Sequence, residues 1–212
     1  PYIDEHFVQQ VGNEEVYNLK AIAGELTMAA RSLSLDKYPV YKDGEQQGDY
    51  TARLWDWPRG SETAYVFNMS HKDPVLRQIF LDLRWREAMS YAINRDEMNQ
   101  TLFFGRATAR QAVTIPTTTF YEDWMAQHAV EYDVEKANQL LDELGLGWDS
   151  GENYRLRPDG EPLAITIEFS AGGGPKAKIH EMVKEYWEAV GVQVSVKEVQ
   201  RRFYRERLAA NE

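Results

Sequence analysis

The run from Trp85 to Met98 restricts the fold more than any other stretch of this chain. Trp85, Ala88, Met89, Ala92 and Ile93 recur at the i, i+3, i+4, i+7, i+8 spacing. They therefore share one helix face, and that face needs a core to cover it. Asn94 is placed to cap a second helix. Its first turn, Arg95-Asp96-Glu97, brings carboxylates to the positive helix end. Two consecutive helices with a buried seam follow from this; no function does.

Elsewhere strand and helix signals alternate. His6 to Val11 is expected as a strand and Glu14 to Ala23 as a helix, with Val16, Leu19, Ile22 and Ala23 on one face and Gly24 at C′. Leu26 to Ala29 would be a second strand, completing a right-handed βαβ unit. Residues 35–48 are polar and mixed, with a short helix and a turn through Asp43-Gly44. Tyr50 to Trp57 and Thr63 to Met69 have the aromatic and β-branched content of strands, and Pro58-Arg59-Gly60 separates them. Helices are expected from about Pro74 to Ile93 and about Arg95 to Phe104, then a surface excursion over 105–131. Asp133 caps a helix with Ala137, Leu140, Leu141 and Leu144 on one face, ended by Gly145. Residues 146–162 form a loop with a turn at Arg157-Pro158-Asp159-Gly160.

The last unit has the clearest pattern. Leu163, Ile165, Ile167 and Phe169 alternate with polar or small residues, as in a half-buried strand. A helix follows with Ile179, Met182, Val183, Tyr186, Trp187 and Val190 in register, ended by Gly191. Val192, Val194 and Val196 form the next strand, and another helix starts near Arg202. The fold class is α/β: one lobe over 1–212, with a mixed sheet flanked by helices.

Composition bounds the function. Of 212 residues, 43% are hydrophobic and 12% aromatic, as in a globular chain. Twenty-four basic against 34 acidic residues give a net charge of −10, which argues against nucleic acid as a partner. The absence of cysteine rules out disulfides and thiolate metal sites. No apolar run approaches the ~20 residues that span a bilayer.

Catalytic patterns fail. The four histidines, His6, His71, His128 and His180, lie far apart and are expected to be solvated or capping. His180-Glu181 lacks the second histidine of a zincin helix. No Gly-x-Ser-x-Gly elbow is present. Pairs such as Glu14-Glu15 and Asp142-Glu143 fall on predicted solvent faces. Neither a metal nor a cofactor is expected. Gly172-Gly173-Gly174 lies between a strand and a helix. It is either a flexible turn or a place where backbone N–H groups approach a ligand. Lys176 at the helix start either meets a ligand carboxylate or is solvated. Trp55 to Glu62 is rich in groups that stack, and Arg59 can fork onto a carboxylate. Trp57 and Tyr65 are either ligand-facing or core.

The wording of several segments resembles one family, the extracellular solute-binding proteins of the peptide/nickel class, family 5. Trp85 to Met98 resembles its signature helix. Ala23-Gly24-Glu25-Leu26-Thr27-Met28 resembles its A-G-E motif, with Thr27 where Asp is usual. Pro1-Tyr2-Ile3-Asp4 resembles the entry into its second lobe. His71-Lys72-Asp73-Pro74 with Asp82-Leu83-Arg84, and Tyr132 to Ala137 with Val134 for a proline, resemble two more of its segments. Glu185 to Val192 resembles its helix-to-strand step. The six occur in the family's order.

The resemblance implies a type II periplasmic-binding lobe. It also implies that the chain is a middle-lobe fragment of a longer two-lobe receptor, with its last helix truncated. Such a receptor is not an enzyme. It binds a peptide or oligosaccharide in the interlobe cleft and hands it to the membrane permease of an ABC importer. Its place is periplasmic or extracellular, with a lipid anchor through an N-terminus outside this sequence. The resemblance also puts the glycine triplet and the strand at Thr63 to Met69 beside the cleft. Trp57, Arg59, Ser61, Tyr65, Asn68, Gly172, Gly173 and Lys176 are the expected ligand-binding residues. The rival readings are an α/β hydrolase or transferase with an unrecognised site, and a purely structural or interaction domain.

Overall fold

Side-chain caps decide where several helices begin. Asn13, Asp73, Asp82, Asn94 and Asp133 each accept a first-turn backbone N–H, at 2.8–3.2 Å. These satisfy donors that a helix N-terminus otherwise leaves orphaned. The computed structural model describes residues 2–29, 32–55, 61, 63–170 and 174–211. The chain divides into two compact units: Pro1–Asp56 with Gly172–Gly174, and Trp57–Ala171 with Pro175–Glu212.

In the first unit, α1 (Glu14–Ile22) is followed by a 3-10 turn (Leu35–Lys37), α2 (Tyr38–Asp43) and α3 (Glu45–Gly48). The C′ role expected of Gly24 is realised as a Schellman motif. Gly24 takes φ +72°, its N–H donates to Ala21 O, and Glu25 N–H donates to Lys20 O. A Cβ at Gly24 would stand 1.9 Å from Gly48 O, so the close approach also demands glycine. The buried Asn18 accepts from Tyr41 Oη at 2.6 Å, and Tyr41 O accepts from Tyr50 Oη. The expected strands at His6 to Val11 and Leu26 to Ala29 are not formed. These segments enter no β-ladder among the described residues, so the first βαβ unit reduces to its helix.

The second unit holds the core. It comprises α4 (Pro74–Leu81), α5 (Leu83–Tyr91), α6 (Arg95–Phe103), α7 (Asp123–Gln127), α8 (Val134–Glu143), β1 (Ala164–Ser170), α9 (Lys176–Glu188), β2 (Gln193–Val199) and α10 (Arg201–Ala209). The expected helix from Pro74 to Ile93 is in fact two. Asp82 ends α4 with extended backbone and caps α5 in the same step. Trp85, Ala88, Met89, Ala92 and Ile93 are all buried, as their spacing requires. Trp187 joins them, and its indole N–H donates to Met89 O at 2.9 Å.

β1 and β2 pair in parallel, from Ala164 with Gln193 to Ser170 with Val199, with α9 as the crossover. This is the second βαβ unit read from the sequence. Ile167 and Phe169 are buried on the α9 side. Glu168 points to the opposite face, where Arg207 of α10 holds it at 3.0 Å. Antiparallel pairing among the described residues is confined to the bridges Trp148 with Arg155 and Leu156 with Pro162. The second of these closes the turn expected at Arg157 to Gly160, where Gly160 N–H donates to Arg157 O. Tyr50 to Trp55 and Thr63 to Met69 are not in a ladder among the described residues, against the strand expectation. A strand becomes one only through a partner's backbone, which propensity does not supply.

Arg155 organises the joints of this unit. It is fully buried, donates to Val190 O, Leu146 O, Asp142 Oδ1 and Asn138 Oδ1, and lies over the Trp148 ring at 4.9 Å.

Candidate functional site

The βαβ geometry puts Ser170, the start of α9 and the start of α10 at one edge of the sheet, since Ser170 pairs with Val199. In open α/β sheets, ligands bind at this carboxyl edge. Lys176 is the first residue of α9, half-buried, with no ion pair among the described residues. Trp57, Arg59, Gly172 and Gly173 lie outside the described residues.

The other expected site residues lie in the segment that packs on α9. Its residues alternate in exposure as a strand's would: Ala64 and Val66 face outward, with Val66 88% exposed, while Tyr65 and Phe67 turn inward. Phe67 lies among Phe80, Trp85 and Trp187, with ring centroids 5.3–5.8 Å away. Tyr65 meets Trp187 edge-on at 5.1 Å, and its hydroxyl lies 2.8 Å from His180 Nδ1. The Ser61 hydroxyl donates to Thr63 O at 2.7 Å. Asn68 Nδ2 donates to Asn211 Oδ1 at 2.9 Å, and Asn211 Nδ2 donates to Ser70 O at 2.7 Å. This polar pair ties the end of the segment to the end of α10.

His180 is the residue that sequence reading missed. It is 5% exposed, not solvated or capping. Its position carried the signal: it stands three residues before Val183 and seven before Trp187, on the apolar face of α9. Burial pushes the imidazole below its ordinary pKa, Lys176 adds to this, and Glu181 opposes it. Burial likewise pushes the Tyr65 hydroxyl up.

A separate shallow cavity of about 150 Å³ is lined by Arg95, Gln127, Glu131 and Tyr132 among others, and by none of the expected site residues. Among the described residues, no three His, Asp or Glu side chains are placed to hold a metal. No described helix is long and apolar enough to cross a membrane.

The described residues thus build a parallel βαβ sheet with helices packed on it. The chain belongs to the bacterial extracellular solute-binding proteins, family 5, matching the family's middle region over residues 1–212. A probable ABC transporter-binding protein of Deinococcus radiodurans is 24% identical over 200 residues, covering 92% of this chain and 33% of the relative. The oligopeptide-binding protein OppA of Lactococcus lactis is 27% identical, covering 84% of this chain and 32% of the relative. Among solved structures, an oligopeptide-binding protein OppA superposes with TM-score 0.74 at 39% identity, covering 95% of this chain and 32% of that one. The chain thus spans about a third of the length of these relatives.

Proposed function

We propose that this chain is part of one lobe of a solute receptor for an ABC importer, and that the solute is a peptide. The observation that carries this reading is the family match along all 212 residues. The 39% identity to an oligopeptide-binding protein supports peptide over other solutes. The residues assigned to the ligand are Trp57, Arg59, Ser61, Asn68, Gly172, Gly173 and Lys176, while Tyr65, packed inward against Trp187 and His180, holds its segment in place. Lys176 and Arg59 would meet carboxylates, and backbone N–H groups of the glycine turn would meet peptide carbonyls. The protein captures and presents its ligand; it catalyses nothing. It works outside the cytoplasmic membrane, tethered by a lipid, and delivers to the membrane permease.

The test is a thermal-shift screen of the whole receptor against peptides, oligosaccharides and metal chelates. A ligand at 100 times its Kd adds about 2.7 kcal/mol to stability, so a peptide of the right class raises Tm by several degrees. The peptide is recovered uncleaved. A shift with oligosaccharides alone would replace the substrate class, and turnover would restore the hydrolase reading.

A further inference from the structure

Three segments of the second unit converge on the His180 ring. From the 63–69 segment, Tyr65 places its hydroxyl 2.8 Å from Nδ1 and its ring edge-on, centroids 5.5 Å apart. From β1, Phe169 lies against the ring with centroids 4.3 Å apart. From α9 come Lys176, one turn before, and Glu181, the next residue. Glu198 of β2 is the register partner of Phe169, and Glu168 is turned to the far face with Arg207 and Lys197. In the neutral ring that carries its hydrogen on Nε2 the Tyr65 hydroxyl donates to Nδ1, and in the other tautomer it accepts from Nδ1–H; a charged ring has no acceptor nitrogen at all.

We propose that His180 is a pH-sensitive latch: neutral, it holds the 63–69 segment against β1 and α9 through Tyr65; protonated, it lets that segment go. Protonation turns both ring nitrogens into donors, so the Tyr65 hydroxyl loses any acceptor on the ring. The new charge sits between Phe169 and Tyr65, with Lys176 repelling it, and Glu181 offsets only part of this. The segment released carries Tyr65 and Asn68, so acid loosens that face whatever solute it serves. The direction follows from linkage. A histidine held below its ordinary pKa contributes stability that is complete above about 6.5 and is lost as pH falls below it. Opening of the segment therefore rises by at most roughly eightfold between pH 7 and pH 5.5.

Hydrogen exchange at the amides of residues 64–67 tests this in the 212-residue chain, corrected for intrinsic pH dependence. A several-fold rise in opening is expected on going to pH 5.5, and His180→Gln, which cannot titrate, should abolish it. An equal rise in His180→Gln would overturn the latch. Should that variant not fold, Tyr65→Phe keeps the ring packing and removes the hydroxyl that meets Nδ1. The His180 C2 proton should then titrate closer to the ordinary value and the acid response should shrink. An unchanged titration and an unchanged response would also overturn the latch.

Discussion

A single buried cation shows how side-chain accounting separates contacts that look alike. Arg155 pairs with Asp142 at 2.6 Å, which reads as a buried salt bridge, yet the Asp142 side chain is 63% exposed. Water therefore screens that attraction, and an ion pair of this kind contributes about 0–1 kcal/mol. More of the stabilisation comes from the carbonyls of Val190 and Leu146, the Asn138 amide and the Trp148 ring. Removing the guanidinium leaves acceptors unpaired inside the protein, each at about 1 kcal/mol or more, and opens a cavity. We expect Arg155→Ala to cost about 3 kcal/mol or more in urea denaturation, and Asp142→Asn less than about 1 kcal/mol. Equal losses would mean that the ion pair, not the carbonyl set, holds the joint. Nothing in the sequence marks Arg155, because its partners come from α8, the loop after it and the α9–β2 turn. His180 differs: its place on the apolar face of α9 marks it for burial, and only its partner Tyr65, 115 residues away, is out of the sequence's reach.

Elements were legible in proportion to how local their causes are. The caps at Asn94 and Asp133 and the C′ glycines Gly24, Gly145 and Gly191 act within one turn, and each stands where its residue type says it should. β1, α9 and β2 were legible because both strands of the pair lie in this chain with their crossover between them. The segments at 6–11, 26–29 and 63–69 have strand composition, but no described residue supplies their ladder. Half of the expected site residues, Trp57, Arg59, Gly172 and Gly173, lie outside the described part. The break at Asp82 was legible in principle. The buried series 79, 80 does not continue in phase into 85, 88, 89, 92, so one straight helix could not bury both. Asp82 Oδ1 accepts from Arg84 N–H at 2.9 Å and so fixes the restart. Asp82→Ala should cost about 1 kcal/mol, the usual worth of an N-cap. A neutral result in urea denaturation would show that packing alone keeps α4 and α5 apart.

For the whole molecule, the distribution of buried apolar surface matters more than chain length. Every residue of the principal core cluster, from Ile79 to Val194, belongs to the second unit. In the first unit, Tyr2, Ile3, Phe7, Val8, Leu19 and Met28 are exposed, and among its described residues only Tyr41 and Asn18 are buried. A segment of that size buries too small a fraction of its surface to offset its conformational entropy. The second unit closes its own crossover, joins α5 to α9 through Trp187 and Met89 O, and ties its hairpin to α4 through Arg157 and Asp73 at 2.8 Å. A chain beginning at residue 57 should therefore keep a cooperative urea transition and the near-UV signal of its packed Trp85 and Trp187. Residues 1–56 alone should show neither. Loss of cooperativity in the 57–212 chain would show that its core needs the first unit to fold.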